Sequence, residues 1–427
     1  MRRGRGTGLG RDFGTLWLAN SVSTLGDGVV AAAGPLLVAS VSDDPVLVGL
    51  AVFVQQLPWL LFSLVSGVVV DRIDKRRLIV VVDVLRGAVT AVLALTVATG
   101  HASIPVLYAI AFALGTGETL AQNAAATLVP AVVAPEDLPR ANSRLHGAYF
   151  VLNKFAGRPL GAALFVVAAA APFCVDATSF LASALLVATV RGIGGAAAAD
   201  TAEPAPARRS VRADIGDGLR WLWREPVVRM MVVSLCLMNV ALTAGFSIMV
   251  LYCRDRLGMS DIGYGLLLSA SAVGGVVGAV WTPRLQKRFR ASLLLRTGLV
   301  IETLTHVGLA VSGTAWLSAA VLVAFGVHSS VLGGVETTLR QLRVPEELRG
   351  RVHSVFMMFA LGGNAVGALV GGPLARWHGV TAPFWCAAAA MTVLTVVAWR
   401  PFGRNLASPP PAAPAPRGAA PETSPAS

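Results

Sequence analysis

The sequence predicts an all-α integral membrane protein with twelve transmembrane helices in two pseudo-symmetric six-helix halves. Composition is the first reason: 55% of the 427 residues are hydrophobic and 14% charged, against about 25% charged in soluble chains. The second is arithmetic, since an apolar count of about 235 fits twelve crossings of about 20 residues each. The third is charge: basic residues cluster in alternate connections, the pattern of loops retained on the cytoplasmic side. Twelve spans leave little chain for a soluble catalytic domain, which excludes most enzymes.

The elements follow in order. Residues 1–13 form a cytoplasmic N-terminus carrying Arg2, Arg3, Arg5 and Arg11. The first half, 14–191, holds spans at 14–39, 46–70, 78–99, 104–132, 145–169 and 171–190. Span one contains Asp27, 13 residues in and so about 20 Å deep at 1.5 Å per residue. Span two ends in the run Gly67 to Arg77 (GVVVDRIDKRR), where Gly67 permits close helix approach, Asp71 can accept bonds from a neighbouring helix N-terminus, and Arg72, Lys75, Arg76 and Arg77 hold the loop at the leaflet. In span three Asp83 and Arg86 are spaced i, i+3, which predicts a local pair. Span four carries Glu118 with Gln122 one turn on, and span five carries Asn153, Lys154 and Arg158, the last two at i, i+4. Pro159 predicts a bend in span five, with Gly157 and Gly161 allowing close packing. Asp176, near the outer end of span six, reads as a helix cap or a neighbour contact.

Residues 192–227 read as a cytoplasmic linker, Ala/Pro/Gly-rich at first. Ile215, Leu219 and Leu222 then recur at helical spacing, predicting an interfacial helix lying on the leaflet. The second half, 228–400, has spans at 228–252, 262–283, 291–311, 315–338, 353–374 and 379–399. Span seven offers Asn239 and Thr243 as a polar face, span nine an i, i+4 pair of Glu302 and His306, and span ten Glu336 near its inner end. Residues 401–427 form a tail, disordered by composition, with seven prolines after 404.

Of the 35 basic residues, 29 fall on the side of the termini, three (Arg254, Arg256, Arg376) on the other, and Arg86, Lys154 and Arg158 inside spans. Both termini are therefore expected in the cytoplasm, and the net charge of +12 records orientation rather than a nucleic-acid partner. The predominance of Arg over Lys suggests a GC-rich bacterial genome and hence a bacterial inner membrane. The four cysteines show no metal or redox spacing. Internal repetition supports the two halves: Gly67 to Arg77 superposes on Gly278 to Arg288 with a shift of 211, and Pro135 to Leu138 on Pro345 to Leu348 with a shift of 210. A duplicated six-helix unit places a cavity between the halves near the midplane.

The chain resembles major facilitator superfamily transporters. The Gly67 to Arg77 run is similar to that superfamily's loop 2–3 signature. Leu25-Gly26-Asp27, Ala141-Asn142, Pro172 to Phe180, Asp214 to Arg220 and Arg349-Gly350-Arg351-Val352 resemble its multidrug, macrolide and siderophore exporters over roughly 12–400. The resemblance implies that spans one, four, seven and ten line the cavity, and that Gly67, Asp71, Arg72, Lys75, Arg76 and Arg77 latch onto the start of span eleven near Arg351, stabilising the outward-facing state. The second copy of the motif has Thr282 and Pro283 in place of the acid-arginine pair, implying a weaker latch. Arg158 departs from the exporters' Gly-Pro-rich span five and offers a cationic wall for an anion.

A charge at the bilayer centre costs at least about 2.5–3.5 kcal/mol, so the buried ones carry the functional reading. Asp27, Glu118, Lys154, Arg158 and Asn239 are the candidates for proton coupling and substrate contact. A carboxylic acid withdrawn from water exchanges its proton nearer neutrality, and Lys154 or Arg158 is expected to pair with an ionised acid; the competing reading is a static buried ion pair. The expected function is a monomeric, proton-coupled exporter of a drug-like or secondary-metabolite small molecule, an antiporter of the multidrug-resistance kind, with no catalytic residues, cofactor or metal. An uptake permease for an anionic metabolite and a non-transporting receptor or assembly partner remain the alternatives. No Gly-Lys dipeptide occurs, which excludes the phosphate-binding loop of an ATP-driven pump.

Overall fold

A computed structural model of the chain describes residues 9–190, 211–345 and 348–404, with the backbone alone at 63–72, 126–127, 135, 211–215, 217 and 404. Residues 1–8, the linker stretch 191–210 and the tail from 405 lie outside the described residues. Among the described residues, twelve helices are long and apolar enough to cross a membrane. They are α1 (Arg11–Val41), α2 (Pro45–Arg72), α3 (Lys75–Ala98), α4 (Ile104–Val132), α5 (Leu138–Val167) and α6 (Ala171–Thr189). The second set is α7 (Pro226–Phe246), α8 (Asp261–Arg288), α9 (Ala291–Val311), α10 (Ala315–Arg343), α11 (Arg349–His378) and α12 (Ala382–Arg404). No strand occurs among the described residues.

Local chemistry explains several boundaries. The Asp44 side chain accepts from the Val46 amide at 2.9 Å and Pro45 opens α2, while Asp74 accepts from the Arg77 amide at 2.7 Å to start α3. Such caps satisfy amides that have no partner within the helix. α11 stops at Gly379, whose φ of 88° lies where glycine alone is unstrained. α5 starts seven residues earlier than the sequence predicts, at Leu138, and is irregular: Tyr149–Gly157 is a π-helical stretch between two α-helical ones. Pro159 supplies the cause. It has no amide hydrogen to return to the preceding turn, so the ladder widens to i→i+5 bonding just before it.

Helix contacts repeat between the halves. In the first, α1 packs on α5 and α6, α2 on α4, and α3 on α4 and α6; in the second, α7 packs on α11 and α12, α8 on α10, and α9 on α10 and α12. Adding six to each number carries one set into the other. The two most extensive cross-half pairs, α2 with α11 and α5 with α8, exchange under the same operation. These are the pseudo-symmetric halves that the repeated motifs predict.

One face of the bundle is sealed and the other divided. Opposite the termini, a single apolar cluster draws residues from the ends of all twelve helices and from 248–253 beyond α7, including Leu36, Val48, Leu93, Leu107, Phe173, Tyr252, Leu267 and Phe384. Two ion pairs join the halves over it, Asp44 to Arg376 at 3.1 Å and Asp43 to Arg254 at 2.9 Å. At the termini face the apolar clusters are separate: one around Leu78, Leu128 and Val187 and a smaller one around Phe13 belong to the first half, and one around Met231, Val352 and Met391 belongs to the second.

The predicted interfacial helix forms at Val211–Arg224 but does not simply lie on a leaflet. Leu222 is fully buried, Trp223 stacks on Phe359 of α11 at 6.4 Å, and Glu225 pairs with Arg343 of α10 at 3.0 Å. The backbone of Arg351 at the start of α11 closes against Gly218, where a Cβ would stand 3.0 Å from it. The linker helix is thus docked onto the second half.

Candidate functional site

The mid-span charges of the first half converge. Asp27 stands beside the middle of α1's 31 residues, Arg86 at the middle of α3's 24 and Glu118 at the middle of α4's 29, so the three lie at one depth. Arg86 Nη2 donates to Asp27 Oδ1 at 2.9 Å, and its guanidinium stacks 4.1 Å from the centre of the Phe180 ring on α6. The Arg86 side chain is 8% exposed and that of Asp27 34% exposed, so the anion faces the open interior and the cation is sealed behind it. Arg86 Nε is buried without a hydrogen-bond partner. Glu118 accepts from Gln122 at 2.9 Å and lies within electrostatic reach of Asp27, Arg86 and Lys154.

This corrects two sequence-based expectations. Asp83 and Arg86 do not satisfy each other: Asp83 accepts from Ser183 of α6 at 2.8 Å while Arg86 crosses to α1. Nor is Lys154 or Arg158 bonded to an acid among the described residues. Lys154 Nζ sits 5.3 Å from the centre of the Tyr149 ring, and Arg158 donates to the Leu268 carbonyl of α8 at 3.3 Å, its Nε buried and unpartnered. Asp176 is no cap. It is 2% exposed, beside Gly26 and Ser179, within reach of Asp27 and Arg86.

Gly157 and Gly161 make the close approach expected of them, but toward α1. A Cβ on Gly157 would stand 2.8 Å from Gly28 Cα, and one on Gly161 2.8 Å from Val29 Cα. This contact fixes the π-helical stretch, and with it Asn153 and Lys154, against Asp27's own helix. Asn239 stands apart from the charges: its amide donates to the Leu235 carbonyl of its own helix at 2.9 Å, and its Cβ faces Gly363 of α11.

Of the predicted latch, the side chains of Gly67, Asp71 and Arg72 lie outside the described residues. Lys75 opens α3, and Arg77 contributes its amide to the Asp74 cap. Arg76 reaches the Ala188 carbonyl at the end of α6, tying it within the first half rather than to α11. Arg351 lies at the α11 start, against the linker helix.

A second buried cluster lies in the other half. Glu302 Oε2 meets His328 Nε2 of α10 at 2.9 Å and Oε1 stands 3.5 Å from His306 Nε2, with all three residues at least 95% buried. The i, i+4 spacing identified Glu302 with His306 and missed His328.

Residues 10–407 match the family described as transmembrane secretion effector. The chain is similar to the multidrug efflux pump Tap of Mycolicibacterium fortuitum, 26% identical over 385 residues that cover 87% of this chain and 91% of that one. It is also similar to the enterobactin exporter EntS of Escherichia coli O9:H4, 25% identical over 380 residues, 84% of each. Among solved structures, a bacterial homologue of the iron transporter ferroportin in its inward-facing state superposes with a TM-score of 0.72 at 18% identity, covering 92% of this chain and 99% of that one.

Proposed function

The chain belongs to the transmembrane secretion effector family of the major facilitator superfamily and is a multi-pass membrane transporter, and from that premise we propose that it is a proton-coupled exporter of a drug-like or secondary-metabolite small molecule. The carrying observation is the Asp27–Arg86 pair: a mid-span carboxylate open to the interior, with its counter-ion sealed behind it. Proton and substrate reach the same group of carboxylates from the divided face, and competition between them for its negative charge is a sufficient basis for exchange. Glu118, at the same depth, is the second coupling acid.

The asymmetry of basic residues supports a cytoplasmic location for both termini in a bacterial inner membrane. The divided face is then the cytoplasmic one, and the conformation is inward-facing. Rocking of the halves about the midplane would open the far face in turn, with the Gly67 to Arg77 run and Arg351 as the latch of that second state. Similarity to proteins named as an efflux pump and an exporter supports the outward direction. The transporter works as a monomer.

Inverted membrane vesicles carrying the protein, given an imposed pH gradient and a panel of lipophilic drugs and metabolites, test the reading. Gradient-dependent uptake into the vesicles is expected, with loss on collapsing the gradient or on D27N. Indifference to the gradient sinks proton coupling. Undiminished cellular function of a D27N/E118Q variant would favour the receptor alternative.

A further inference from the structure

We propose that Asp176 is the acid that releases the exchanged proton and that Arg86 couples it to Asp27: a cationic group arriving at Asp27 displaces the guanidinium, which turns to Asp176 and expels its proton. The inference rests on the exporter reading and names the class of substrate charge and the coupling residue of that same site.

Arg86 is built to be shared. It makes one charged hydrogen bond, to Asp27 at 2.9 Å, and leaves a buried Nε without a partner. Its planar face rests on Phe180, and Asp176 is four residues from Phe180, one turn along α6, or about 5.4 Å. A swing across the ring therefore carries the guanidinium from α1's acid toward α6's. The charged groups facing it are Asp27 from α1, Asp83 from its own helix, Glu118 from α4 and Asp176 from α6, while Lys154 of α5 faces Glu118.

Among those acids Asp176 is the least served. Asp83 takes the Ser183 hydroxyl at 2.8 Å and Glu118 the Gln122 amide at 2.9 Å. The Ser179 hydroxyl stands 3.4 Å from Asp176 Oδ1 and lies closer, at 2.8 Å, to the Asp176 carbonyl. A carboxylate 2% exposed with so little compensation is held as the neutral acid until a cation reaches it. One guanidinium balances one carboxylate. With Asp27 ionised and paired, Asp176 keeps its proton; with a cation on Asp27, Arg86 ionises Asp176 and the proton leaves to the water of the interior that Asp27 faces. One cation is bound, one proton is released, and the net charge of the cluster is unchanged.

The test uses purified full-length protein in weakly buffered detergent, tetraphenylphosphonium as the probe and a pH-indicator dye. Wild type should release on the order of one proton per bound cation, by linkage. D176N should release none and bind about tenfold more weakly, because the acids still facing Arg86, Asp83 and Glu118, already have partners and Asp27 is rarely free. D176E should restore release, and adding R86Q to D176N should restore binding without release, a rescue that a merely structural Asp176 would not give. A ligand-free arm compares melting temperatures: D176N should cost at least about twice as much in a D27N protein, where Arg86 depends on Asp176, as in wild type, because only coupled sites depart from additivity. Wild-type proton release from D176N, or equal melting losses in both backgrounds, overturns the proposal. Gradient-independent transport with intact release on binding would instead sink the exporter reading alone.

Discussion

Two adjacent glycines on α11 separate packing from propensity. A Cβ on Gly362 meets nothing within 4 Å, whereas one on Gly363 stands 2.6 Å from the Cys236 carbonyl oxygen and 3.1 Å from Asn239 Cβ on α7. Replacing either by Ala gives the helix about 0.5–1 kcal/mol by restricting the unfolded chain. For Gly363 the carbonyl must also retreat from 2.6 Å to an ordinary 3.4 Å, a local parting of about 0.8 Å, and overpacking of that kind costs about 1–3 kcal/mol. Backbone oxygen on a rigid helix cannot yield alone, so α7 moves as a unit, against Gly367 and Gly371 one and two turns along. G362A should therefore raise the apparent melting temperature of the detergent-purified protein and G363A lower it, the two differing by about 1–3 kcal/mol in stability. Tryptophan fluorescence during a thermal ramp reads both. Equal shifts of the same sign would refute close α7–α11 packing as the constraint at 363.

Further expectations concern the faces and the second cluster. Asp43–Arg254 and Asp44–Arg376 are exposed pairs, each contributing about 0.2–1 kcal/mol, so D43N/D44N should favour opening of the far face by at most about thirtyfold. The rate of maleimide labelling at Cys253, 1% exposed in the closed bundle, should rise accordingly in a protein whose other cysteines are serine. L222A, emptying a fully buried site under the linker helix, should cost about 2–5 kcal/mol and expose Val211–Arg224 to limited proteolysis before any span is cut. E302Q weakens the charge-assisted bond to His328 and the 3.5 Å contact with His306 and should cost about 1–3 kcal/mol in thermal stability. Gradient-driven transport should persist in it, since the triad lies in the half opposite Asp27.

Depth along a helix is legible in sequence, and direction around it is not. All twelve spans are legible, most ends to within about five residues, with α5 starting seven residues early and α7 ending six residues early, because apolar runs and charge alternation report depth directly. Asp27 was found for the same reason. Arg86 is harder to recognise, because Asp83 at i−3 offers it a local partner. Only the azimuth of α3, set by its packing on α4 and α6, shows that Arg86 faces α1. His328 was missed likewise, as a partner 26 residues away on a neighbouring helix. The π-helical stretch was legible only as Pro159, whose missing amide implies a defect without specifying a bend or a widened turn. The amphipathic spacing of the linker helix revealed an apolar face but not that Leu222 would bury against protein instead of lipid.

The way the far face is closed bears on how it opens. Nearly all of its cross-half contact is apolar, gathered from the ends of twelve helices, and apolar burial is non-directional, roughly proportional to area and indifferent to which partner supplies it. A closure of this kind is lost gradually as the halves tilt and is replaced by equivalent burial at the opposite face, so the two states need differ by little free energy. Directional bonds would behave otherwise, each demanding a new partner at once. Among the described residues they comprise two exposed ion pairs, which water satisfies when they part, and the bond from Arg158 to the Leu268 carbonyl. Apart from the Arg158 bond, the buried directional contacts described above, Arg86 with Asp27, Ser183 with Asp83, and Glu302 with His328, each lie within one half. Rocking the halves leaves them intact, so the free energy that biases the two states must enter where a charge changes partner inside a half, and the Asp27–Arg86 pair is the place among the described residues where such a change is open to the interior.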